Sequence, residues 1–344
     1  MRYRLLGKTG LRVSELCLGT MTFGDNGGWG ASKEASREVF DAFAEAGGNF
    51  IDTANHYTEG TSERFVGEFI RGDRNHFVVA TKYTLSARPG DPNAGGNHRK
   101  SLVQALEGSL QRLGTDYVDL YWVHAWDGIT PVEELMRALD DVVRAGKALY
   151  VGISDAPAWV VARANTLAEQ RGWTPFSAIQ VQYSLVERTV ERELLPMADA
   201  LGLTVTAWSP LGGGTLSGKY RKGQDRPEQV RFSEGAWGDA FLTERNLDIA
   251  EAVVQEAREL SRTPAQVALA WLLQRPNTPV IPILGARTLA QLQDNLECLD
   301  FRLDSGQLAR LDQVSAIPLG FLHDFLAMPM VHQMVHGTAT VMSR

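Results

Sequence analysis

The sequence has only two cysteines, Cys17 and Cys298, far apart and each among apolar neighbours. That excludes a disulfide framework or a cysteine-built metal centre, and both read as reduced core thiols. Long hydrophobic runs are also missing. The densest, Val267-Ala-Leu-Ala-Trp-Leu-Leu273, is far too short to span a bilayer. The opening MRYRLLGKTG has neither an apolar core nor a small-residue cleavage site, so no secretory leader is expected and the expected compartment is the cytoplasm. Positive charge is in deficit, the formal net charge being −7, which argues against nucleic acid or an anionic membrane as the main partner. No Ser-, Pro- or charge-rich linker divides the chain, and no G-x-G-x-x-G follows the first strand-like run. The glycine-rich segments 24–30 and 212–218 do not fit that spacing, so an open doubly wound sheet is disfavoured.

What the chain does contain is a repeated pairing of a short β-branched or aromatic run with a helix-period stretch. The runs are residues 16–18, 49–52, 77–81, 118–123, 149–153, 178–181, 204–207 and 280–283. Most are apolar on both faces, as in parallel strands covered by helices. Eight such units predict an α/β protein with one (β/α)8 barrel, spanning 1–316, followed by a tail, 317–344. Gly7-Lys-Thr-Gly10 between two strand-like runs predicts a hairpin ahead of the barrel. Thr130-Pro131 with Glu133, and Thr263-Pro264 with Gln266, predict helices opened by a capping box; Asp304 and Gln307 predict another. A long irregular stretch, 212–246, is expected to shape a substrate pocket at the carboxyl end of the barrel.

In such a barrel the chemistry gathers at the carboxyl ends of different strands. Asp52 ends the second strand and Tyr57 follows it, Lys82 ends the third and His124 the fourth. Taken singly, these are a turn cap, a loop aromatic, a snorkelling lysine and a core histidine. Taken together they make chemical sense. A phenol is a poor acid at neutral pH, and a neighbouring ammonium favours its phenolate. Lys82 would thus make Tyr57 more acidic, Asp52 would hold Lys82 charged, and His124 would hydrogen-bond a substrate oxygen. The product is a general acid for a forming alkoxide. No serine or cysteine nucleophile stands beside a base, so a hydride from a nicotinamide cofactor is required.

The motifs Gly-Gly-Asn-Phe-Ile-Asp52-Thr-Ala-Asn-His-Tyr57, Val-Ala-Thr-Lys82, Leu-Gly-Thr-Asp-Tyr-Val-Asp-Leu-Tyr-Trp-Val-His124 and Ile-Pro-Ile-Leu-Gly285-Ala-Arg287 resemble those of the aldo-keto reductase superfamily, in the same order. The resemblance runs from about Tyr3 to Leu311. Asn97-His-Arg-Lys-Ser-Leu102, Tyr-Trp-Val-His124-Ala-Trp-Asp127 and Gly-Ile-Ser-Asp155-Ala-Pro-Ala-Trp159 are most similar to its aryl-alcohol dehydrogenase branch. The resemblance implies reduction of aldehydes or ketones, plausibly aryl aldehydes, with NADP(H), and a small-molecule carbonyl as partner. It implies Tyr57 as general acid, tuned by Lys82 and Asp52, with His124 orienting the carbonyl. Ser154, Asp155 and Gln180 would lie at the nicotinamide carboxamide, and Trp208 would stack on the ring. Asp155 stands where many relatives carry Asn, and its carboxylate accepts from an amide NH2 but donates nothing to its carbonyl. Ser209, Leu211, Gly213 and Lys219 would wrap the pyrophosphate. Gly285, Arg287, Gln291 and Asn295 would lie toward the adenosine end, Arg287 offering a bidentate partner to a 2′-phosphate.

Met21, Phe23, Trp29, Trp126, Trp237 and Phe241 are candidate walls of an apolar substrate pocket. Phe321 and Phe325 of the tail would join them or make a subunit contact. His332 and His336 have the spacing of a helical zinc pair but no third ligand, so no metal is expected. Two rival readings stand beside this one. A nucleotide-sensing regulatory subunit resembling potassium-channel β subunits would share the same four residues, and a barrel hydrolase would use Asp116, Asp119 or Asp127. Oligomeric state is left open.

Overall fold

The computed structural model describes residues 1–25, 30–86, 88, 90–223 and 240–337. Strands β1 (Tyr3–Leu5) and β2 (Arg12–Ser14) pair antiparallel as the expected hairpin. Eight parallel strands then close on themselves: β3 (Cys17–Gly19), β4 (Phe50–Asp52), β5 (Val78–Tyr83), β6 (Val118–Val123), β7 (Ala148–Ser154), β8 (Phe176–Gln182), β9 (Thr204–Trp208) and β10 (Val280–Gly285), with β10 bonded to β3. Each lies within a few residues of its predicted run. The (β/α)8 barrel is therefore the fold.

Side chains alternate across a strand, and in a barrel one set points inward. Phe50, Val78, Ala80, Leu120, Trp122, Ala178, Ile281 and Ile283 form one buried cluster, joined from the hairpin by Leu6 and Val13. The interior is thus packed and floored by the hairpin. The alternate residues Ile51, Val79, Tyr121, Val123, Ile179 and Val205 belong to a second, larger cluster with the surrounding helices. The inward parity matters for function. Continuing two residues along each strand from Phe50, Ala80, Trp122 and Ala178 gives Asp52, Lys82, His124 and Gln180 at the carboxyl end of the barrel.

Around the barrel lie α1 (Lys33–Glu45), α2 (Thr61–Ile70), α3 (Arg99–Leu113), α4 (Val132–Arg144), α5 (Ala158–Arg171), α6 (Leu194–Leu201), α7 (Glu244–Glu259), α8 (Pro264–Leu273), α9 (Leu289–Leu296) and α10 (Ser305–Val314). The capping boxes expected at Thr263 and Asp304 are formed, each side chain accepting the N–H three residues on. The one expected at Thr130 is not. There α4 begins one residue late, with Pro131 at the cap and no side-chain cap bond. Thr130 instead gives its hydroxyl and its backbone N–H to Asp127, at 2.7 and 2.9 Å. Thr130 is thus a donor to a charged carboxylate, the stronger kind of acceptor, and the N–H groups that open α4 receive no side-chain cap.

After α10 the chain passes loops at the mouth: Arg245 donates to the carbonyls of Ser315 and Ala316, and Arg192 to that of Pro318. Two short helices follow, α11 (His323–Leu326) and α12 (Pro329–His336). Phe321 and Phe325 are exposed and pack on each other, ring centres 6.1 Å apart. Among the described residues no helix is long and apolar enough to cross a membrane. Cys17 and Cys298 are buried and unpaired in the core.

One close approach inside the barrel is testable. A Cβ on Gly152 would lie 2.3 Å from Cζ3 of Trp122, a rigid ring with no exposure to solvent. Gly152→Ala is expected to lose about 1–3 kcal/mol of stability through overpacking, read as a lower midpoint of denaturation. Combined with Trp122→Leu, the loss is expected to be smaller than the sum of the two single losses. Equal midpoints for Gly152→Ala and the parent would refute the crowding.

Candidate active site

The parallel register sets Asp52 beside Ala80, two residues before Lys82 on the same face. From there the Lys82 ammonium reaches three oxygens. It donates to Oδ2 of Asp52 in a very short contact, to the carbonyl of Thr53 at 2.9 Å and to the hydroxyl of Tyr57 at 3.1 Å. The second oxygen of Asp52, Oδ1, accepts from Nε2 of Gln180 at 3.1 Å. Lys82 has no exposure to solvent, and Asp52 almost none. The ring of His124 stands edge-on to that of Tyr57, centres 6.0 Å apart. The four residues that the sequence scatters over more than seventy positions thus meet at one end of the barrel.

Burial alone would strip the proton from Lys82, yet the carboxylate of Asp52, helped by Tyr57, carries its pKa above the ordinary lysine range. The ammonium is permanent at any ordinary pH. Burial likewise pushes the phenol of Tyr57 up, and the opposing pull of Lys82 does not overcome it. This corrects the expectation that Lys82 makes the resting phenol unusually acidic. In the desolvated cluster the penalty on a phenolate exceeds the gain from an ammonium that Asp52 already neutralises. For His124, burial, then Lys82 and His56, lower the pKa to about 2, so the imidazole is neutral.

Sequence reasoning missed the residues that hold these groups. Tyr57 is followed by three left-handed residues, Thr58, Glu59 and Gly60, with φ of 44, 56 and 80°. Two of them pay the steric cost that non-glycine residues meet there. Thr58 is tied down by its hydroxyl, which donates to the carbonyl of Phe23 at 2.7 Å and accepts from the N–H of Ser62 at 3.1 Å. His124 is set by a second network. Its N–H donates to the carbonyl of Tyr83 at 3.2 Å and lies 3.3 Å from Oγ1 of Thr84, itself at φ 98°. Asn97, fully buried, donates to that same Oγ1 and to the carbonyl of Ala125, both at 2.9 Å, and exchanges two 2.7 Å bonds with Asp127. Asp127 is therefore a loop brace, and N–H groups from Asn97, Thr130 and Ile129 hold its carboxyl below the usual range despite partial burial. Asp119 accepts from Arg74 at 2.7 Å and from the N–H of Val79 at 2.9 Å, nearer the start of β6. No hydrolytic carboxylate pair forms from these residues. His56 was overlooked as well; its ring lies 5.1 Å from those of both Tyr57 and His124. Its position beside Tyr57 in the sequence was the only available signal.

Several of the other predicted residues lie at or just past the carboxyl ends of the strands. Ser154 ends β7 and Gln180 lies two residues before the end of β8, both buried. Asp155, one residue past β7, accepts the indole N–H of Trp208, the last residue of β9, at 3.1 Å. Burial pushes its carboxyl above the usual range, against the hydrogen bonds from Trp208 and Ser154. Ser209 follows at φ 49°, and the chain turns through Leu211 into Gly213 and Gly214, at φ 63 and 104°. The ammonium of Lys219 lies 5.3 Å from the ring centre of Tyr220, close to Gly214. Gly285 ends β10, and a Cβ there would meet nothing within 4 Å. Arg287 precedes α9 and its N–H donates to Oε1 of Gln291 at 2.9 Å; Asn295 is buried on the same helix. Of the proposed substrate walls, Met21 and Trp126 are partly buried near the mouth loops. Phe23 is fully buried, its ring edge-on to Phe69 of α2, so it serves the core. Phe241 packs with Tyr220, Leu242 and Leu247 in a small separate cluster. Trp29 and Trp237 lie outside the described residues.

The comparisons with known proteins agree with this geometry. Residues 15–316 match the model of the aldo/keto reductase family. An aryl-alcohol dehydrogenase of Pestalotiopsis microspora is 40% identical, the alignment covering 94% of this chain and 85% of the relative. A norsolorinic acid reductase of Aspergillus flavus is 38% identical, over 94% of this chain and 84% of its own. An aryl-alcohol dehydrogenase of Phanerodontia chrysosporium, whose name specifies NADP(+), is 37% identical over 96% and 90%. With eight parallel strands closed into a barrel and Lys82 bridging Asp52 and Tyr57 at its mouth, the chain belongs to the aldo/keto reductase family.

Proposed function

We propose that the protein reduces aldehydes or ketones, aryl aldehydes among them, to alcohols, with NADPH as the hydride donor and Tyr57 as the proton donor. The observation that carries this reading is the buried ammonium of Lys82 held 3.1 Å from the Tyr57 hydroxyl with Asp52 behind it. The residues at the rim fit a dinucleotide. Gly285 leaves open space where any other residue would place a Cβ, and Gly213 and Gly214 turn backbone that side chains disfavour. Ser154, Gln180 and Trp208 would hold the nicotinamide, Ser209, Leu211, Gly213 and Lys219 the pyrophosphate, and Arg287, Gln291 and Asn295 the adenosine end. Bound NADPH would supply the hydride to the carbonyl carbon.

The residues of the chain then do the rest. Because the resting phenol sits above its ordinary pKa, Tyr57 keeps its proton throughout the physiological range. Neutral His124 gives a substrate oxygen a hydrogen bond without competing as an acid. As negative charge grows on that oxygen, the Tyr57 proton passes to it, and the phenolate left behind faces the Lys82 ammonium across the existing hydrogen bond. Lys82 acts on the product of proton transfer rather than on the resting acid. Relatives named as dehydrogenases and reductases favour turnover over the regulatory-subunit reading. Two buried free thiols fit a reducing compartment, and the cytoplasm is the one proposed.

Tyr57→Phe is expected to lower aldehyde-dependent NADPH consumption at least about 100-fold while NADPH still binds. Wild-type turnover in that variant would remove Tyr57 from its role. Arg287→Ala should raise KM for NADPH about tenfold, the value of one charge-assisted contact, and leave KM for NADH alone. A parallel rise for both would assign Arg287 a structural part instead. His124 also makes a statement about stability. The unfolded chain binds a proton at this residue below about pH 6.5, whereas the folded chain does so only near pH 2. Folding stability is therefore lost as pH falls below 6.5. His124→Gln should flatten the loss between pH 6.5 and 4 by up to about 1 kcal/mol per pH unit; identical slopes would contradict neutral burial.

A further inference from the structure

We infer that Asp155 is a positioning residue for the cofactor, tying the indole of Trp208 across the mouth of the barrel and placing a negative charge, hydrogen-bonded only by uncharged groups, beside the nicotinamide. The inference rests on the nicotinamide reading above and goes beyond it. The family resemblance puts Asp155 at the carboxamide. In the structure one of its oxygens, Oδ1, accepts the Trp208 indole N–H at 3.1 Å, reaching from the end of β7 past β8 to the end of β9.

The backbone of Asp155 is held as firmly. Its N–H donates to the carbonyl of Gln180 and its carbonyl accepts the N–H of Trp126, both at 3.3 Å. It adopts φ 44°, a left-handed conformation that Asp, Asn and Gly accept more readily than other residues. Ser209, directly after Trp208, is left-handed too, at φ 49°. One end of the Asp155–Trp208 bond, and the residue that follows the other end, therefore stand on left-handed backbone, which is where sites store pre-organisation. An indole fixed at its N–H cannot swing about its side-chain bonds, so a ring stacking on it meets a face already in place.

The charge count gives the second half. Asp52 and Lys82 neutralise each other, and Tyr57 and His124 are neutral. The hydrogen-bond partners of the Asp155 carboxylate, Trp208 and Ser154, carry no charge. Among the described residues the Asp155 carboxylate thus has no cationic hydrogen-bond partner. A nicotinamide ring is neutral when reduced and cationic when oxidised, so this anion favours the oxidised form.

Equilibrium titrations of NADP+ and NADPH at pH 8, by calorimetry, separate the two roles. Asp155→Asn keeps the backbone and an oxygen for the indole but removes the charge; it should move the ratio of NADP+ to NADPH affinity toward NADPH by about three- to tenfold. Asp155→Gly keeps the backbone and removes the tether; it should weaken NADPH about tenfold and change the near-ultraviolet circular dichroism of the tryptophans. In a Trp208→Phe background, which lacks the N–H, the same glycine should cost NADPH less than about twofold. An unchanged nucleotide ratio in Asp155→Asn, or an undiminished glycine effect without the indole, overturns the role of Asp155. Should the wild type bind neither nucleotide, the nicotinamide reading itself falls.

Discussion

A lysine ammonium with no access to water sits at the top of an otherwise apolar barrel, and the rest of the site exists to make that tolerable and useful. Taking an ammonium and a carboxylate out of water costs several kcal/mol for each ion, recovered only when geometry is good and every remaining donor has a partner. Here Lys82 has three, Asp52, Thr53 and Tyr57, and the spare oxygen of Asp52 is met by Gln180. The closed sheet supplies this at no cost in flexible arms. Asp52 pairs with Ala80 across β4 and β5, and the two-residue pleat then points Lys82 inward beside it. A slip of one residue would turn Lys82 out into the helices and leave Asp52 unpaired in the core.

Around that pair the structure divides rigid support from strained detail. The barrel interior is filled below by Trp122, Phe50 and the hairpin residues Leu6 and Val13, so the cluster has a solid floor. Tyr57 and His124 stand instead on short loops, and these are braced by buried polar networks. Asn97 and Asp127 lock the loop after β6 to Thr84, and Thr58 locks the turn after Tyr57 to Phe23. Left-handed, non-glycine residues recur at this rim: Thr58, Glu59, Thr84, Asp155 and Ser209. Such backbone persists only where the surroundings over-determine it. Its concentration here follows from the need to aim side chains that the regular strand cannot aim.

Electrostatics in the site is governed by burial more than by pairwise attraction. The phenol of Tyr57 rises although an ammonium touches it, because that ammonium is already balanced and water is absent. His124 falls for the same reason. The environment keeps the phenol protonated and the imidazole neutral; in the proposed reaction this lasts until charge develops on a bound oxygen, which is when a preorganised cation has most effect.

The sequence by itself was sufficient for the eight strands, the hairpin, two of three expected capping boxes and the grouping of Asp52, Tyr57 and His124 with Lys82. Those features depend on local periodicity and on parity along a strand, and both are written residue by residue. It was insufficient where competing partners come from elsewhere in the chain. Thr130 reads as a helix cap until Asp127 is seen to claim it, and Phe23 and Phe241 read as pocket walls until Phe69 and Tyr220 are seen against them. Lys82 reads as an acidifier of Tyr57 until the loss of solvent is weighed against its charge. Gln180 and Asp155 read alike as polar rim residues; only closure of the barrel sends one to Asp52 and the other to Trp208. Periodicity is a property of neighbours in the chain. Desolvation and the choice among hydrogen-bond partners belong to neighbours in space, and only the tertiary structure decides those.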